Sequence, residues 1–96
     1  MNKNLEIITS RYLDSKGVLH SLIGRRYLLE AITTCIEDNK VMINMGDIYN
    51  EIAAAHENAS PSNVERCMRH AIRQSNSPIK NKEFICRAVY DIRHNM

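Results

Sequence analysis

Three arginines, Arg66, Arg69 and Arg73, recur at three- and four-residue steps between Pro61 and Gln74, and Glu65 stands beside the first of them. A guanidinium is a planar fork that donates two hydrogen bonds at once, which matches the O6 and N7 acceptors of guanine better than a lysine can. Each such pair discriminates between bases by roughly 1–3 kcal/mol. A carboxylate among them is repelled by phosphates unless it accepts from a donor such as the cytosine amino group. Any of Arg66, Arg69 and Arg73, with Glu65 beside them, could therefore meet a base edge. Ser62, Asn63, His70, Arg73, Lys80 and Lys82 are polar or basic neighbours suited to phosphates. The same residues also suit a merely solvated face, with Glu65 paired to Arg69 at the favourable four-residue spacing.

Other chemistry has weaker support. Cys67 and His70 lie three residues apart, with His56 or Cys86 available elsewhere, but paired-cysteine spacing is missing and the two residues fall on different sides of a helical wheel. No metal and no cofactor is expected. No glycine-rich phosphate loop, nucleophile elbow or paired metal-binding histidine motif occurs, so neither an enzyme nor a small-molecule substrate is expected. Cys35, Cys67 and Cys86 are odd in number and widely spaced, which reads as reduced thiols rather than a disulfide frame. No apolar run approaches the length of a membrane span, and the polar start at Met1 to Glu6 lacks the core of a secretion signal. A cytoplasmic protein without a membrane partner is expected.

The elements that must position these residues are helices. With only 3 Gly and 2 Pro, and apolar residues at three- and four-residue steps, the 96-residue chain reads as all-α, a compact bundle of about five helices forming one domain over residues 1–96. The first helix is predicted over Leu5 to Lys16, ended by Gly17, and the second over Arg25 to Asn39 on the stripe Leu28, Ala31, Ile32, Cys35 and Ile36. Residues 40–46 read as a turn, with a short helical piece packing through Val41, Met42, Ile43 and Met45. Asp47 is the expected N-cap of a helix through His56, with Ile48, Ile52 and Ala53 inward.

The turn Glu57-Asn58-Ala59 then leads to Ser60-Pro61, an N-cap followed by proline at the first helical position, and a helix to Gln74. At about 100° per residue, Val64, Cys67, Met68, Ala71 and Ile72 fall on one side of it and Ser62, Arg66, Arg69 and Arg73 on the other. Residues 47–74 thus have the pattern of a helix-turn-helix whose second helix presents arginines outward. A last helix is predicted from Asn81 to His94 on Ile85, Ala88, Val89 and Ile92.

The run Val64-Glu65-Arg66-Cys67-Met68-Arg69-His70-Ala71-Ile72 resembles the signature Val-Glu-Arg-x-x-Arg-His-Ala-Ile of the C-terminal effector domains of the sporulation master response regulator, stage zero sporulation protein A. Gly17-Val18, Gly24, Tyr27-Leu28, Glu30-Ala31-Ile32, Ile52-Ala53, Pro61-Ser62 and Glu83-Phe84-Ile85 match in order on either side. The resemblance implies a helix-turn-helix regulator of transcription that binds double-stranded promoter DNA of the TGNCGAA type, with Glu65, Arg66 and Arg69 at base-contacting positions. It leaves open homodimeric or tandem binding on DNA.

Some positions depart from the family pattern. Asn63 replaces a DNA-contacting arginine, the stretch between Ile72 and Glu83 is shorter, and one residue is shifted from before Ile52-Ala53 into the following turn. The receiver domain of the family is not within these residues, and a stand-alone relative is expected. The net charge is only +2, which keeps a second reading in play. In that reading the chain is a protein-interaction module that antagonises a full-length regulator without binding DNA.

Overall fold

Apolar residues spaced for one helical face can leave water only by packing against another such face, and here five helices do so together. The computed structural model describes residues 3–39 and 42–95. It contains α1 (Lys3–Ser15), α2 (Ile23–Glu37), α3 (Met45–Ala55), α4 (Pro61–Gln74) and α5 (Asn81–His94). The fold is an all-α bundle, with no strand among the described residues. Its radius of gyration of 12.1 Å is that of a compact chain of this length.

The core draws on every helix, with Leu13, Leu28, Ile32, Met68, Ile72 and Ile85 among its largest fully buried side chains. Helix α2 is its axis, packing on each of the other four and most extensively on α4. Gly24 makes that approach possible. A Cβ at this position would lie 2.0 Å from the carbonyl oxygen of Cys67, so the α2 and α4 backbones meet where no side chain fits.

A buried cation fixes the same end of α2. The guanidinium of Arg25, in a residue only 6% exposed, donates to the Val18 carbonyl at 2.6 Å and to the carbonyl and hydroxyl of Ser10 at 3.0 and 2.8 Å. It also lies 2.9 Å from the Asp14 carboxylate. Desolvation opposes ionisation of that carboxyl, but the bonds and charge of Arg25, with His20 at 2.8 Å, hold it below its usual range. One side chain thereby ties α1, the following turn and α2 together.

Most expected elements appear where the sequence places them, and α4 and α5 have the predicted bounds. Gly17 takes φ +78 after α1, the left-handed conformation suited to its capping role. Three expectations need correction. Lys40 and Val41 lie outside the described residues, but Met42 is 87% exposed and residues 42–44 are not helical, so the piece expected there does not pack through Met42. Asp47 is not the N-cap of α3. Asn44 has that role, its side chain accepting from the Asp47 N–H at 3.1 Å, because the helix begins at Met45 and Asp47 falls within its first turn. Cys67 is half-buried at the edge of the core rather than enclosed by it.

Candidate nucleic-acid interface

Helices α3 and α4 are joined by residues 56–60, the connectivity required of a helix-turn-helix. Asn58 takes φ +63 in the turn, and an asparagine tolerates that conformation better than most residues. His56, at the end of α3, is held through Nε2 by both carboxylate oxygens of Glu30 on α2, at 2.9 and 2.8 Å. Its ring also meets Tyr27 edge-on at 5.2 Å between centroids. The start of α4 is set by Ser60, whose hydroxyl accepts from the Asn63 N–H at 3.1 Å, and by Pro61 behind it.

On α4 the stripe Val64, Met68, Ala71 and Ile72 is buried, while Ser62, Arg66, Arg69, His70 and Arg73 are exposed. Glu65 is half-buried at the border of the outward face and pairs with Arg69 at 3.3 Å. Asn63 is also half-buried, and its side-chain oxygen lies 3.9 Å from the Cys67 sulfur. Lys80 and Lys82 are exposed at the beginning of α5.

The structure divides these residues between two flanks of α4. On one, Glu65, Arg69, Arg73, Lys80 and Lys82 surround an open cleft of about 560 Å³ between α4, the 75–80 turn and α5. On the other, Asn63, Arg66 and His70 face Leu22, Ile23 and Gly24 across a shallower depression of about 390 Å³. Ser62 belongs to neither and stands exposed near the start of α4. The first flank concentrates positive charge around one carboxylate, an arrangement that can hold an anionic backbone and test a base edge. The second carries one arginine beside apolar surface.

Sequence reasoning did not single out Tyr49 and Asn81, which the fold brings into the cationic cleft. The Asn81 amide nitrogen donates to the Tyr49 hydroxyl at 3.1 Å and to the Glu65 carbonyl at 3.0 Å, joining the start of α5 to α3 and α4. Burial pushes the Tyr49 phenol above its ordinary value, against the bond from Asn81. No spacing rule links residues on three different helices, so only the packing of α3, α4 and α5 reveals the group.

Among the described residues, no cluster of three or more His, Cys, Asp or Glu side chains could hold a metal ion, and no helix is long and apolar enough to cross a membrane. Searches of curated proteins and of solved structures gave no match. The family model described as sporulation initiation factor Spo0A C terminal matches residues 9–94, almost the whole chain and all of both helices of the candidate motif. The chain therefore belongs to the Spo0A C-terminal family of DNA-binding effector domains of a sporulation regulator.

Proposed function

We propose that this protein regulates transcription by inserting α4 into the major groove of promoter DNA of the TGNCGAA type, reading base edges with Glu65, Arg66 and Arg69. Ser62, Asn63, His70, Arg73, Lys80 and Lys82 take the phosphates on either side. The chain acts as one effector domain over residues 1–96, in the cytoplasm, singly or with a second copy on a neighbouring element. The observation that carries this reading is the division of α4 into an apolar stripe sealed in the core and an arginine-bearing face left open to solvent. A groove-reading helix requires both, one to hold it and one to present donors.

The experiment is a titration of labelled duplexes, with and without a TGNCGAA element, at two salt concentrations. Contacts to several phosphates must weaken steeply as salt rises, and base reading must favour the element. Absence of binding even at low salt would sink the proposal and favour the interaction module, for which Asn63 in place of a family arginine and the half-exposed Ile23 beside Arg66 are the relevant observations. An apolar helix interface would respond little to salt.

A further inference from the structure

The Asn81 amide has the Glu65 carbonyl as one neighbour, and this fixes its orientation: turned the other way, two oxygens would face each other. Its nitrogen has two hydrogens, one for that carbonyl and one for the Tyr49 oxygen. Tyr49 is thus an acceptor toward Asn81, and its own hydrogen remains to be donated elsewhere. Among the described residues no acceptor takes that hydrogen, although the phenol remains protonated at neutral pH. Around it stand Arg69, Arg73, Lys80 and Lys82, whose charges draw an anion into the same cleft. One neutral donor among such cations complements a phosphate oxygen, which accepts several hydrogen bonds at once.

We propose that Tyr49, held by Asn81, is a DNA-backbone contact that donates its hydroxyl hydrogen to a phosphate seated in the cleft between α4 and the start of α5. This rests on the groove-reading function above and adds a residue from the first helix of the motif. Asn81 is the positioning residue, since its bond to Tyr49 occupies the phenol oxygen from the protein side and leaves the hydrogen for the cleft. The contact supplies affinity without sequence preference. Because a phenol brings no charge, it also displaces no counterion of its own.

The test compares wild type with Tyr49→Phe on element-bearing and unrelated duplexes over a range of salt, together with duplexes bearing one neutral methylphosphonate at each position in turn. Tyr49→Phe should bind every duplex about tenfold more weakly, as expected for loss of a hydrogen bond to a charged acceptor. Its salt dependence and ranking of sequences should remain those of wild type, and it should stay fully helical at the temperature of the titration, although its melting temperature falls because the Asn81 amide loses an acceptor. At one methylphosphonate position wild type should lose affinity to a larger factor than the variant does, identifying the phosphate that the hydroxyl touches.

Equal affinity of the two proteins would overturn the contact, as would a changed ranking of sequences, which would mean that Tyr49 acts through Glu65. Lost helical content in proportion to lost affinity would make the hydroxyl a purely structural bond and overturn it too. Wild type that binds no duplex at any salt removes the groove-reading function itself and the contact with it, a result distinct from a variant that simply matches wild type.

Discussion

Arg69 pairs with the Glu65 carboxylate at 3.3 Å, and in the proposed function it exchanges that partner for the edge of a base. With side chains 46% and 34% exposed, the pair is worth little in water, so exchanging it for a bidentate bond to guanine meets a small barrier. Arg69→Ala should cost roughly 1–3 kcal/mol of binding and relax preference at one base pair. Uniform weakening on all sequences, measured by competition titration, would make Arg69 a phosphate contact instead. A second residue-scale prediction concerns Thr9, fully enclosed on α1, whose hydroxyl has no hydrogen-bond partner among the described residues. Thr9→Val keeps the shape and removes the unsatisfied oxygen, so the melting temperature should rise, by about 1 kcal/mol of stability. A lower one would show that the hydroxyl has a partner. The arginines were legible in the sequence because period and charge lie along a single helix. Tyr49 and Asn81 were not, since their proximity depends on how three helices pack.

At the scale of elements, the contact of α2 with α4 sets the roll of the proposed reading helix about its axis. Gly24→Ala should destabilise the protein by roughly 1–3 kcal/mol or more, because the added carbon meets a backbone carbonyl that cannot rotate aside. Denaturant unfolding measures this, and a wild-type midpoint would refute the close approach. Ser60→Ala should cost about 1 kcal/mol through loss of the bond to the Asn63 N–H, with part of the first turn of α4 frayed in hydrogen exchange. Protection equal to wild type there would show that Pro61 alone sets the start. Helices α4 and α5 could be bounded from sequence because Ser60-Pro61 and the turn formers at 75–78 interrupt strong apolar periods. The start of α3 was misplaced because Asn44 and Asp47 are both good caps, and local chemistry cannot choose between them. The burial of Arg25 was equally hidden, since its acceptors come from α1 and the turn after it.

For the molecule as a whole, the Asp14 and Arg25 pair links acidity to stability. The folded state holds the Asp14 carboxyl below its ordinary value, so its stabilising effect is complete above the usual carboxylate range and lost as pH falls through that range toward the lowered one. Protonation leaves the nearly buried Arg25 without its counterion. Melting temperatures should therefore fall less steeply below about pH 5 in Asp14→Asn than in wild type, though from a lower starting point. Parallel curves would mean that other carboxylates govern acid unfolding. The presence of Glu65 among the cations of the cleft has a consequence for search along a chromosome. A protein of net charge +2 with an acid on its proposed reading surface has a weak general hold on DNA. If Glu65 reads a base as proposed, the protein would leave unsuitable stretches quickly and dwell where a cytosine answers that acid, so selectivity would come as much from short visits to wrong sites as from long ones to the right site.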